Sequence, residues 1–137
     1  MAATTQIAAL MTWRQDLTGQ VFDPASLNVF WFELTAGAYG AIQEVAAVVE
    51  IVDGSAWALE FIAGSEPIER ELSEPRWLNG RPTRPSQIQV TGQDLDTVSL
   101  MNTIADCWLP DATIENYQAQ LRAQMGQTRG EAKGETL

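Results

Sequence analysis

The sequence contains no histidine and a single cysteine, Cys107. Without histidine, the Ser-His-Asp and Cys-His catalytic arrangements, the usual zinc-ligand sets and the most frequent general base are excluded. One cysteine cannot form a disulfide within the chain, which is typical of proteins in the reducing cytoplasm. Cys107 falls in the last turn of a predicted helix, where the helix dipole raises a thiol pKa, so we expect a packed side chain rather than a nucleophile.

Basic residues are also scarce: eight Lys and Arg stand against eighteen Asp and Glu, for a net charge of −10. Binding to a phosphate backbone or an anionic membrane requires the opposite charge, so nucleic acid and membrane surfaces are disfavoured as partners.

No apolar run has the length of a membrane-spanning helix, and we expect no secretion signal because a basic start followed by an apolar segment is missing. Walker A, Rossmann and EF-hand motifs are missing too, so we predict no cofactor and no metal.

What the chain does have is apolar residues, at 45% of the total, and five tryptophans among 137 residues. This composition is enough for a buried core without disulfides or metals. We therefore predict one domain over residues 1–126, followed by a disordered, polar and glycine-containing tail over residues 127–137.

The longest apolar stretch, Gln43–Gly64, is broken once, by Asp53–Ser55. Its residues are mostly β-branched, aromatic or alanine, and we interpret it as a β-hairpin at the middle of an antiparallel sheet. Alternating side chains place Glu50 and Glu60 together on the less apolar face only if the loop has an odd length. We therefore predict a three-residue loop with Val52 opposite Ala56. An alanine-rich helix over Ala36–Val49 is the alternative.

The remaining elements complete an α+β fold, an antiparallel sheet of about four to five strands with an N-terminal helix and two C-terminal helices packed on it. The predicted elements are a helix at Thr5–Leu17, a strand at Asn28–Leu34, a helical turn or edge strand within Glu66–Glu74, a strand at Gln87–Thr91, and helices at Asp94–Trp108 and Ala112–Met125. The apolar stripe of the first C-terminal helix is predicted to comprise Leu95, Val98, Met101, Ile104, Ala105 and Trp108.

A basic, proline-rich loop, Pro75–Pro85, is the most conspicuous candidate for binding a protein partner, because it holds three arginines, a tryptophan and no acid. The last helix offers a second apolar surface. The predicted partner-binding residues are Arg76, Trp77, Leu78, Arg81, Arg84, Tyr117 and Leu121. Alternatively, the arginines pair with the acids of Glu66–Glu74 and Trp77 pins the loop to the core.

Three functions are consistent with these features. The leading hypothesis is a non-enzymatic cytoplasmic protein-interaction module, an assembly chaperone, adaptor or regulatory subunit that is expected to be a dimer. A structural subunit of a larger assembly, such as a phage or secretion particle, is the second. The third is a small-molecule binder or carboxylate-based enzyme whose pocket and acid/base groups come from Trp31, Trp57, Phe61, Glu33, Glu50 and Glu60.

Overall fold

A computed structural model describes residues 9–136, with side chains to residue 126. The elements in chain order are β1 (Met11–Asp16), β2 (Val21–Phe22), α1 (Pro24–Thr35), β3 (Ala41–Ile51), β4 (Ala56–Ile62), β5 (Ile68–Glu71), β6 (Gln87–Gln93), α2 (Thr97–Asp106) and α3 (Asp111–Thr136). The sheet runs β1-β6-β3-β4-β5 with antiparallel neighbours, and β2 pairs in parallel with the end of β3. The predicted α+β class is confirmed.

The predicted hairpin is present as β3 and β4, which pair through Ala46↔Glu60 and Glu50↔Ala56. The loop has the predicted odd parity, so Glu50 and Glu60 share a face. The register differs by two residues, because Ala56 lies opposite Glu50 instead of Val52, so that five residues rather than three connect the paired positions. The amide of Ile51 donates to the carbonyl of Ser55 at 2.9 Å, which closes this wider turn. The alternative helix over residues 36–49 is wrong.

The two faces of the sheet have different environments. On one face, side chains of β3, β4 and β6 pack beneath α1 and α2 and form the main core. Its central members are Val45, Ala47, Val49, Leu59, Ile88 and Val90 from the sheet with Leu27, Phe30, Leu34, Leu100 and Ile104 from the helices. The other face exposes Ala46 and Glu60, and a small cluster of Val21, Val52 and Ile114 covers its end near the hairpin turn.

The predicted N-terminal helix at Thr5–Leu17 is wrong over its second half, where residues 11–16 form strand β1; residues 1–8 lie outside the described part of the chain. β1 pairs with β6 through Thr12↔Thr91 and Trp13↔Val90. Thr12 is exposed and Trp13 packs against the core, which is the two-residue alternation of a strand.

The N-terminal helix is instead α1, where a strand at Asn28–Leu34 was predicted. Asp23 is its N-cap and accepts hydrogen bonds from the Ser26 amide at 3.0 Å and the Ser26 hydroxyl at 2.8 Å. Pro24 fits the first turn because its missing N–H leaves no unpaired donor. The helix buries Leu27, Phe30, Trp31 and Leu34, a spacing of three and four residues that indicates one helical face.

The other elements agree more closely with the prediction. β5 settles the choice in Glu66–Glu74 in favour of an edge strand, and β6 and α2 lie where expected. In α2 the predicted stripe is right for Ile104, which is buried, and for Leu95 and Trp108, which pack against the core, but it wrongly includes Val98, 69% exposed, and misses the buried Leu100. The predicted disordered tail overlaps the end of α3, where side chains are not described, and it stays a prediction. Across residues 9–136, no helix is both long and apolar enough to cross a membrane.

The substitution Asp23→Ala at the N-cap of α1 should lower the free energy of unfolding by about 1 kcal/mol, because the Ser26 amide loses its acceptor. Urea unfolding followed by circular dichroism measures this. Asp23→Asn is the matched control and should retain most of the stability. An alanine variant as stable as the wild type would contradict the assigned cap.

Candidate functional site

A pocket of about 260 Å³ opens where α1, the β3–β4 hairpin, β5 and α3 meet, and we call it the seam pocket. The start of α1 reaches this place because β2, which precedes α1, pairs with the end of β3. β5 reaches it by pairing with β4, which sets Glu69 opposite Leu59 on the helix-covered face. The pocket is lined by Pro24, Leu27, Asn28, Ile51, Asp53, Trp57, Leu59, Glu69 and Tyr117.

A chain of hydrogen bonds within the hairpin turn holds the indole of Trp57. Its Nε1 donates to the Ser55 hydroxyl at 2.9 Å, and that hydroxyl donates to the Asp53 carboxylate at 2.5 Å. The Ser55 amide donates to the same carboxylate oxygen at 2.9 Å. One wall of the pocket therefore consists of an aromatic ring and a carboxylate whose positions are fixed by the chain itself.

Glu69 and Tyr117 complete the polar part of the pocket and are both exposed at its rim. Among the described residues, Glu69 has no ion-pair partner within 4.0 Å. Its neighbour Arg70 points to the opposite face of the sheet and pairs there with Glu60 at 3.4 Å. The Glu69 carboxylate is thus available to a ligand.

Behind the hairpin turn, on the opposite face of the sheet, Glu50 and Arg84 form a buried ion pair. Arg84 donates from Nε to Glu50 Oε2 at 3.0 Å and from Nη2 to Glu50 Oε1 at 2.8 Å. Further bonds run from Arg84 to the carbonyls of Gly54 and Pro75. Hydrogen bonding to the Glu50 carboxylate raises the pKa of Arg84 above its usual value.

The other members of the predicted basic loop also contact their own chain. Arg76 donates to the carbonyl of Asp53 at 2.9 Å, and the Trp77 amide donates to Gly54 at 2.9 Å. Gly54 has a φ of +90°, and a Cβ there would lie 2.9 Å from the Leu78 side chain, so the loop packs on a position that requires glycine. Arg81 donates to Asp111 at 2.6 Å.

These arginines therefore bond to the hairpin turn and to the start of α3, not to Glu66–Glu74 as the alternative prediction supposed. Tyr117 and Leu121 lie on α3, the former 39% exposed and the latter half-buried. A partner-binding role for the seven residues, and the predicted dimer, stay predictions.

The predicted carboxylate site does not assemble. Trp57 lines the seam pocket, but Glu50 is buried against Arg84 on the other face and Glu60 pairs with Arg70 there. Glu33 accepts a hydrogen bond from the Tyr39 hydroxyl at 3.1 Å. Within the described part of the chain, no three His, Cys, Asp or Glu side chains are grouped to hold a metal ion.

Asn28, Asp53 and Glu69 are the polar pocket residues that sequence reasoning missed. For Asn28 the missing step was the helix α1, which the Asp-Pro cap signal at Asp23 could have revealed. For Asp53 the signal was the Asp-Gly-Ser sequence, since an aspartate in a turn bonds the backbone two residues on. No local signal places Glu69.

No protein-family model and no curated protein matches the sequence. The fold is similar to part of the Zn(II)-bound YjiA GTPase from E. coli, with a TM-score of 0.59 and 11% identity over 77% of this chain. A Zn(II)-bound triple mutant of the YjiA GTPase gives a TM-score of 0.58 and 10% identity over 72% of this chain. The chain spans only 31% and 29% of the length of these neighbours.

This similarity corrects the leading functional hypothesis. Both of these neighbours are GTPases, which points away from the hypothesis of an assembly chaperone, adaptor or regulatory subunit, and we abandon that hypothesis. The hypothesis of a structural subunit in a phage or secretion particle gains no support from them. At 10–11% identity the similarity shows the fold alone, and function has to be argued from the site.

Replacing Arg84 by alanine should lower the free energy of unfolding by about 3–5 kcal/mol, because the side chain of Glu50, 1% exposed, would be left buried without its partner. Urea denaturation measures the loss. Arg76→Ala is the control from the same loop and should cost at most about 1 kcal/mol, since its ion pair with Asp53 is largely exposed. Equal losses in the two variants would contradict the importance of the buried pair.

Cys107 should resist alkylation in the folded protein. Burial raises its pKa to about 11, and its thiol donates to the carbonyl of Thr103 at 3.3 Å, so at pH 8 it stays protonated and shielded. Iodoacetamide labelling followed by mass spectrometry should show slow modification at pH 8 and rapid modification in urea. Equally fast labelling in both conditions would show that the thiol is accessible in the folded state.

Proposed function

We propose that this chain is a small-molecule-binding domain whose ligand occupies the seam pocket. The observation that carries the proposal is the pocket itself, a concave site of about 260 Å³ with an apolar floor and a few placed polar groups. Ligand sites in proteins generally have this character, and those for drug-sized molecules occupy roughly 300–1,000 Å³. The volume here suits a metabolite with fewer atoms.

The pocket is prepared for a ligand before binding, which supports the proposal. Trp57 and Asp53 are held by Ser55, and Arg76 fixes the backbone of Asp53 from the other side. Groups that are already ordered lose little conformational entropy when they bind a ligand.

The proposed role is binding, and we assign no catalytic step to the pocket. We propose the cytoplasm as its location, in keeping with the unpaired Cys107.

GTP and Zn(II) are compounds to test because the fold neighbours are a Zn(II)-bound GTPase. The site itself favours neither. Asp53 and Glu69 at the pocket oppose the charge of a triphosphate, and the sequence contains no Walker A motif. Titration with GTP should therefore give no saturable change in the fluorescence of the five tryptophans. Zn(II) should give none either, because no three His, Cys, Asp or Glu side chains are grouped to hold a metal ion in the described part of the chain. Saturable GTP binding that Glu69→Gln strengthens would identify the ligand as a nucleotide.

The variant Asn28→Trp tests the pocket directly. Asn28 is exposed on α1 at the pocket wall, so an indole there should fill the pocket without disturbing the core. In a fragment library screened by thermal shift and NMR, compounds that bind the wild type should lose about tenfold or more in affinity, which is about 1.4 kcal/mol or more.

Val29→Trp is the matched control, because Val29 is 59% exposed on the same helix but does not line the pocket. It should bind the same compounds as the wild type, and circular dichroism should show both variants folded. A ligand that binds Asn28→Trp as tightly as the wild type would place its site elsewhere. A library without any binder to the wild type would refute the proposed function.

A further inference from the structure

We infer that the ligand of the seam pocket is a small organic cation, an amine or quaternary ammonium compound; this inference rests on the proposed function. The lining contains two carboxylates, those of Asp53 and Glu69, and no lysine or arginine. The counter-charge to Asp53 is Arg76, which lies outside the lining, is 48% exposed, and places its Nη1 3.6 Å from the Asp53 carboxylate. Glu69 has no ion pair among the described residues. Arg76 offsets part of the charge of Asp53, and Glu69 supplies the negative charge of the pocket that has no partner among the described residues.

An anionic ligand is disfavoured although the pocket includes the start of a helix. The N-terminus of a helix normally attracts anions through its free amide groups. In α1, however, Pro24 has no amide hydrogen, and the carboxylate of Asp23 already accepts hydrogen bonds from Ser26. The anion site at this helix end is thus filled by the protein.

The aromatic lining favours a cation over a neutral ligand. The faces of tryptophan and tyrosine rings carry partial negative charge and attract ammonium groups, most strongly where water is excluded. Trp57, held through its Nε1, and Tyr117 from α3 both line the pocket. The net charge of −10 adds a long-range attraction for cations.

An organic cation fits these groups better than a metal ion. Hard metal ions take six or more oxygen ligands, or at least several carboxylates arranged around one point. The described residues hold no cluster of three potential metal-binding side chains, and the remaining lining is largely apolar. An alkylammonium group uses both the carboxylates and the apolar surface.

The test compares cations with neutral molecules of the same shape: choline with 3,3-dimethylbutan-1-ol, and benzylamine with benzyl alcohol. Titrations of the wild type, followed by NMR and calorimetry, should show about tenfold tighter binding of at least one cation than of its neutral counterpart. Raising the salt concentration from 50 to 500 mM should weaken the binding of the cation and leave the binding of its neutral counterpart unchanged.

Glu69→Gln should weaken cation binding about threefold to tenfold and leave the neutral compounds unchanged, because the substitution removes charge and keeps the shape. Glu66→Gln is the control, because Glu66 is an exposed acid of the same segment that lies outside the pocket lining. This substitution should change neither the affinity for cations nor the affinity for neutral compounds.

The possible results distinguish a failure of this inference from a failure of the proposed function. If neither cation binds more tightly than its neutral counterpart, the inference is overturned. If library compounds that are neutral or anionic still bind in the wild type and are lost in Asn28→Trp, the proposed function survives that failure. If no compound of any charge binds, both are overturned.

Discussion

The paired hydrogen bonds between Glu50 and Arg84 hold together parts of the chain that are 34 residues apart in sequence. A carboxylate that is 1% exposed needs a matched charge, because an unpaired one would be strongly destabilising. Arg84 is therefore fixed, and with it the loop of residues 75–85. Since Arg84 also bonds Gly54 and the Trp77 amide bonds the same carbonyl, the loop holds the β3–β4 turn in one conformation.

The candidate site depends on that turn. Asp53 and Ser55 belong to it, and they orient the indole of Trp57 on the other face of the sheet. The buried pair and the seam pocket thus lie on opposite sides of one short loop. The arginines that made the basic loop stand out in the sequence serve largely to hold this turn and the start of α3.

The sequence predicted those features that depend on side-chain alternation within one segment. Only one loop parity keeps Glu50 and Glu60 off the apolar face, and the structure has that parity. The exact register was not predictable in the same way, because a shift of two residues leaves every side chain on its own face. Hydrogen bonds of the turn decide it, and local patterns do not contain them.

The exchange of helix and strand near the N-terminus has a similar physical origin. Residues 29–32 are all apolar and resemble a strand buried on both faces, but Val29 and Phe32 are exposed on α1. The Asp-Pro pair before them determines the helix start. Among the site residues, the hairpin pattern was enough to predict the position of Trp57. Predicting Asn28 at the pocket required knowledge of helix α1, and predicting Glu69 there required the pairing of β5 with β4. Such long-range neighbours are set by the completed fold.

The edge strand β5 also bears on how copies of the chain behave at high concentration. An unpaired sheet edge exposes backbone donors and acceptors that can recruit a strand from another molecule. β5 has only four residues, of which three, Glu69, Arg70 and Glu71, are charged and exposed. Any incoming strand would have to align its backbone beside these charges, so this border of the sheet is protected against fibril-like growth.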